Sequence, residues 1–204
     1  MSTDDSDSPS PGGRPRGARA PRVDAQRNRE KLIQVARDAY TAAGGPVPLE
    51  TIARDAGVGI GTLYRHFPTR EALVEAVYAA ELDDVTGCVP ELLRQLPPDG
   101  ALRAWMERYA AFVVTKRAMA ETLRAGWASG QIATPGTRER ITAAIAAMLA
   151  TGAEAGSLRN DVDPQDVTVM LMGTLLATSG GETLEQTGRL LDLVMDALRP
   201  RTTE

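Results

Sequence analysis

A chain of 204 residues with 43% apolar side chains can bury a core, as one body with an appendage or as two small packed domains. No apolar run approaches the ~18 residues of a membrane span, and an amino terminus rich in serine and aspartate is no signal peptide, so a soluble, cytoplasmic protein is expected. The formal charge of −4 is uneven: residues 1 to 70 hold 11 Arg/Lys against 8 Asp/Glu, and residues 71 to 204 hold 12 against 19. The basic end can contact phosphates even on an acidic protein, because counterion release is a local effect.

Residues 1 to 22 mix Ser, Asp, Pro, Gly and Arg with almost no large apolar side chain, and read as a disordered basic tail. Within it Gly13-Arg14-Pro15-Arg16-Gly17 resembles the core of an AT-hook, which lies in the minor groove of A·T-rich DNA. The alternative is a solvated basic arm. A first helix is expected from an Asp24 N-cap, with Leu32, Ile33, Ala36, Tyr40 and Ala43 on one face, to a stop at Gly44-Gly45. Pro46 and Pro48 forbid its continuation. Leu49, Ile52, Ala53 and Ala56 then mark a short amphipathic helix that Gly57 ends, and Leu63 and Phe67 mark a second. Two short helices about a glycine turn make a helix-turn-helix, with polar and aromatic side chains on the outward side of the second. Thr69 caps the next helix, which carries Leu73, Val74, Val77, Tyr78 and Leu82 to near Gly87.

The rest reads as helix, with no alternation of period two. Residues 89 to 96 form a short helix closed by Pro97-Pro98, and residues 99 to 119 a longer one with Leu102, Trp105, Met106, Tyr109, Phe112 and Val113 at helical spacing. Residues 121 to 128 precede Gly130, a helix opens at Thr134-Pro135 and runs to Gly156, and Asp163-Pro164 starts another. The last two helices, about residues 164 to 179 and 182 to 198, are apolar on more than one face. A surface helix needs one apolar stripe, so Met170, Leu171, Leu175, Leu184, Leu191, Val194 and Leu198 are expected at an interface with a second copy. Burial within one large helical domain is the alternative.

The run GVGIGTLYRHFPTREALVEAVY resembles the DNA-binding signature of the tetracycline-repressor (TetR) family in both spacing and residue type, over residues 29 to 78. The segment around Gly156-Ser157-Leu158-Arg159 resembles one common before that family's dimerisation helices. The resemblance implies an all-α protein: an amino-terminal three-helix DNA-binding domain with a helix-turn-helix at residues 23 to 70, and a larger helical domain at residues 71 to 204 for effector binding and dimerisation. It implies that Gly61 and Thr62 approach base edges beside Ile60. Tyr64 and His66 would take phosphates or a thymine methyl, Arg65 bases or backbone, and Arg29 and Arg70 phosphates. Gly59 stands where the family often has a capping serine and Ile60 where it often has lysine, which leaves a backbone N–H for a phosphate and an apolar group for a thymine methyl.

His66 is the only histidine, so a Ser-His-Asp or Cys-His device would have to be built on it, yet it sits in the turn segment beside Arg65, and a metal site there lacks partners of its own type. Cys88, the only cysteine, rules out an internal disulfide and a Cys-based metal cluster, and no cofactor or metal is expected. Cys88 reads as a small buried hydrophobe. Trp105, Met106, Tyr109, Phe112, Trp127 and Met148 are the candidates for an effector pocket, with core packing as the equal alternative; Arg108, Glu121 and Arg124 are candidate specificity groups or solvated charges. The leading expectation is a homodimeric repressor that a small, largely apolar molecule releases from a palindromic or near-palindromic operator, two recognition units lying ~34–36 Å apart. A DNA-bound activator or architectural protein with a filled core is the second reading. An all-helical enzyme or carrier, the third, lacks a catalytic constellation.

Overall fold

The computed structural model describes residues 20–130, 136–178 and 184–200. Among them are ten helices and no strand: α1 (Ala20–Ala43), α2 (Leu49–Asp55), α3 (Ile60–His66), α4 (Arg70–Gly87), α5 (Val89–Gln95), α6 (Pro98–Ala118), α7 (Ala120–Ala128), α8 (Thr137–Glu154), α9 (Pro164–Ala177) and α10 (Leu184–Leu198). The AT-hook-like segment and the Thr134-Pro135 start signal lie outside the described residues, and α8 is described from Thr137. Asp24 is not a cap: α1 already runs through it from Ala20, with Pro21 in the first turn, where a missing N–H leaves no helical bond unmade, and Ala25, Gln26 and Arg27 continuing as good helix formers. No helix among the described residues is long and apolar enough to cross a membrane.

The local chemistry sets the remaining boundaries. Gly57 adopts φ 68°, the left-handed conformation that glycine takes without a Cβ penalty, and turns the chain from α2 into α3. The Thr69 hydroxyl accepts the Ala72 N–H at 3.1 Å, and the Asp163 carboxylate accepts the Gln165 N–H at 2.8 Å, each satisfying a donor that the first turn of its helix leaves open.

One continuous core runs through the molecule. At the amino-terminal end Leu32, Ala36 and Tyr40 of α1 pack with Ile52 and Ala53 of α2 and with Leu63 and Phe67 at α3, all buried. Helix α6 is the hub of the larger part, packing against α1, α4, α5, α7, α8 and α10. Trp105 of α6 is fully buried, stacks on Tyr109 with ring centroids 5.3 Å apart, and donates its indole N–H to the Val85 carbonyl at 2.7 Å, satisfying a carbonyl in the last turn of α4. Cys88 is half-buried, with its thiol 3.4 Å from the same carbonyl.

The two apolar sides of α9 and α10 fall the opposite way from expectation. Leu171, Leu175, Leu191, Val194 and Leu198 are each at most 5% exposed within the single chain, packed into its own core, so they are not the free face. The outward side carries Val169, Met170, Leu176 and Leu193, which are 51%, 37%, 62% and 63% exposed. Of the expected interface residues only Met170 is on that side, and the Leu184 side chain lies outside the described residues.

Candidate nucleic-acid interface and the cavity behind it

The helix-turn-helix is held from beneath, which leaves its far side to solvent. Leu63 and Phe67 anchor α3 in the core, and the period of the helix then turns Ile60, Gly61, Tyr64 and Arg65 outward, with Gly59 exposed beside them. Thr62 and His66 are half-buried at the edges of this face. Gly59 precedes α3 with an extended backbone and no side-chain cap; its carbonyl accepts the Thr62 and Leu63 N–H groups instead. A Cβ on Gly61 would meet nothing within 4 Å, so the outer surface of α3 is open at that position.

Two of the basic residues expected at this face are engaged within the protein. The Arg29 guanidinium lies 5.3 Å from the centroid of the Phe67 ring, which holds it next to the end of α3. Arg70 is half-buried and donates to the Val47 carbonyl at 2.7 Å, tying the start of α4 to the loop between α1 and α2. It also sits against the Tyr40 hydroxyl, whose pKa burial raises and Arg70 partly pulls back. A phosphate would therefore have to share Arg70 with these groups, so its first role is in positioning the unit.

A polar joint connects this unit to the larger body. Arg37 of α1 pairs with Glu81 and, at 2.9 Å, with Asp84 of α4, while Thr41 of α1 meets Thr115 of α6 at 2.9 Å. Glu81 is 4% exposed; burial raises its pKa, and the Arg37 charge, together with hydrogen bonds from Arg37 and Thr115, offsets part of that rise. Arg108 lines the polar groove at this joint. No sequence signal marked the joint, because its partners come from three helices.

Beyond the joint is a cavity of about 340 Å³ between α6, α7, α8 and α9. Tyr109, Phe112 and Trp127 line it, together with Lys116, Arg124, Ile141, Met172 and Leu176. Trp105, Met106 and Met148 do not: all three are fully buried core side chains, and Trp105 is committed to Val85. Glu121 is exposed and is not part of the wall. Burial pushes the Tyr109 hydroxyl up to about 12, with a smaller contribution from Tyr78, so it is a neutral hydrogen-bonding group at physiological pH. The Lys116 ammonium lies 5.6 Å from the Tyr78 ring centroid and 5.8 Å from that of Trp127, and the Tyr78 hydroxyl bonds Thr137 at 2.7 Å. Lys116 escaped sequence reasoning, although it is one of two lysines in a chain that otherwise uses arginine for its positive charge. Among the described residues no cluster of His, Cys, Asp and Glu could hold a metal ion.

An exposed recognition helix on a three-helix unit, joined to a helical body with an apolar cavity, defines a helix-turn-helix transcriptional regulator. Residues 32–77 match the family described as bacterial regulatory proteins, tetR family, and residues 97–200 match the SbtR-like transcriptional regulator carboxy-terminal domain. The chain belongs to the TetR family of DNA-binding transcriptional regulators. It is 44% identical to a TetR transcriptional regulator of Streptomyces coelicolor of known structure, covering 85% of this chain and 99% of that one with a TM-score of 0.79. A TetR regulatory protein from Mycobacterium vanbaalenii is 32% identical over 88% of this chain and 99% of its own, with a TM-score of 0.67. An HTH-type transcriptional regulator of Staphylococcus aureus is 35% identical over 63 residues, 30% of this chain, and the match spans only 34% of that relative's length.

Proposed function

We propose that this regulator is a homodimeric repressor, released from its operator by a small molecule that enters the cavity beside α6. The observation that carries the reading is the cavity's position: its wall includes Lys116, the next residue to Thr115, which is bonded to Thr41 at the end of α1. An occupant that favours one setting of α6 acts at once on the contacts that orient the DNA-binding unit, and shifts the population of dimer spacings by its differential affinity for them.

In this reading residues 23 to 70 read DNA. Gly61 and Thr62 approach base edges, Ile60 meets a thymine methyl, and Arg29, Tyr64, Arg65 and His66 take backbone or base contacts, with Arg70 chiefly orienting the unit. Two copies associate through the outward apolar side of α9 and α10, where Val169, Met170, Leu176 and Leu193 leave apolar side chains exposed for a partner to cover. The test is binding of the purified protein to the DNA upstream of its own gene. Salt-sensitive binding to one or a few near-palindromic sites, with two protomers per site, is expected; binding without sequence preference, or by one protomer, sinks the proposal.

A further inference from the structure

We infer that the effector is an amphipathic organic anion, its acidic group pairing with Lys116 and its apolar body lying along Tyr109, Phe112 and Trp127. The inference rests on the cavity being the effector site of the proposed function, and adds the chemical class of the occupant.

The first observation is the sign of the wall. Lys116, Arg117, Arg124 and Arg138 all line the cavity, and none of the described lining residues is acidic. Arg124 and Arg138 are exposed and hence screened by water, and Arg117 donates to the Leu175 carbonyl, so Lys116 carries the argument.

The second is that Lys116 is half-buried at the cavity with neither an opposing charge nor a carbonyl partner among the described residues, whereas Arg70 and Arg117 donate to the Val47 and Leu175 carbonyls and Arg29, held by the Phe67 ring, lies at the DNA face. Arg37 has Glu81 and Asp84, Arg103 has Glu107 and Asp192, and Arg159 has Asp161. No carboxylate among the described residues pairs with Lys116; its ammonium has only the faces of Tyr78 and Trp127. Burial lowers its pKa, as expected for a cation withdrawn from water without an opposing charge. A neutral occupant would strip away more water and leave the ammonium uncompensated. A carboxylate or sulfonate supplies the missing charge-assisted hydrogen bond where water competes least, while the aromatic and aliphatic wall takes the rest of the molecule.

Two fluorescent dyes of nearly identical body test this on the full-length protein: 1-anilinonaphthalene-8-sulfonate and its uncharged counterpart N-phenyl-1-naphthylamine. The sulfonate is expected to bind at least about tenfold more tightly. Lys116→Met keeps the length of the side chain without its charge and is expected to abolish the difference, with little effect on the neutral dye. Lys116→Arg is expected to restore it, and Ala120→Trp, which fills the cavity, to remove both dyes. Equal affinities in the wild type, or a preference that survives Lys116→Met, overturns the inference, and a dye signal indifferent to Ala120→Trp overturns it together with the cavity as a ligand site. Decanoate and decanamide, added to the protein on its upstream DNA, separate the two proposals. Release by the acid alone supports both, and equal release by the amide overturns the anion while leaving the repressor. Displacement of the sulfonate dye by decanoate without release upholds the anion and overturns release.

Discussion

The hydroxyls of Thr41 and Thr115 are 2.9 Å apart, although the residues are 74 positions apart in the chain and belong to the first helix and the central helix. The bond crosses from the DNA-binding unit to the body, one peptide from the cation of the cavity. Thr41→Val is expected to leave DNA affinity in the absence of effector within about twofold and to destabilise the fold by no more than about 1.5 kcal/mol, since the site is partly open to water. The change in DNA affinity on adding an effector should shrink. A full response in the variant would place the coupling in α4 alone.

Glu81 makes the same joint sensitive to pH. Its carboxyl is raised by burial more than Arg37 lowers it, so its favourable contribution to stability is complete below the unfolded pKa of about 4.3 and is lost as pH rises through the folded value. Glu81→Gln does not titrate. Thermal melts of both proteins from about pH 4 to about pH 7.5 should therefore show the melting temperature of the variant rising relative to wild type as pH increases above the unfolded carboxyl value. The opposite slope would mean that pairing with Arg37 outweighs burial.

The outward and inward sides of α9 and α10 separate association from folding. Leu193→Asp and Leu176→Asp, at exposed positions, should give folded monomers by sedimentation with unchanged helical content. Leu191→Asp, at a position 1% exposed, should instead cost several kcal/mol by burying an unpaired charge and should fail to fold stably. A dimer that persists in both exposed-site variants would move the interface elsewhere.

At the DNA face, Thr62→Ala is expected to change which operator bases are preferred while leaving stability nearly constant. Arg70→Ala should weaken binding to every sequence alike. It should also cost stability, roughly 1–3 kcal/mol, because the Val47 carbonyl loses its partner. An Arg70→Ala protein of wild-type stability would return that side chain to a purely phosphate-binding role.

Gly152 supplies a packing test. A Cβ there would lie 2.4 Å from Leu158 Cδ1 and 2.9 Å from its Cβ, so the chain beyond α8 folds back against a helix surface that has no side chain at this point. Despite alanine's better helix propensity, Gly152→Ala should lower stability by about 1–3 kcal/mol in a denaturant melt.

The elements were largely legible because their ends are written locally. Pro46, Gly57, Thr69, Pro97 and Asp163 each act through their own backbone or the next turn, and the helix-turn-helix carries an added signature of residue types. What was not legible depends on choices between surfaces. Leu191 and Leu193 are equally apolar, and only the packing of α10 on α6 decides that one is inside. Trp105 and Tyr109 share a helix stripe, yet the carbonyl of Val85 claims the first for the core and the cavity the second. Asp24 has the chemistry of a cap, but the turn before it is itself helical. Gly152 carried no warning, since its neighbour Leu158 arrives only when the chain reverses.

Leu176 has a consequence for dosage. Its side chain is 62% exposed on the outward side of α9 and also borders the cavity. In the proposed dimer the second copy would cover a residue that the small molecule touches, so association and occupancy share a free energy and each must alter the other by the same factor. The amount of regulator in a cell would then help to set the threshold concentration of the signal. A titration on dilute protein and one on concentrated protein would give different midpoints for the same compound.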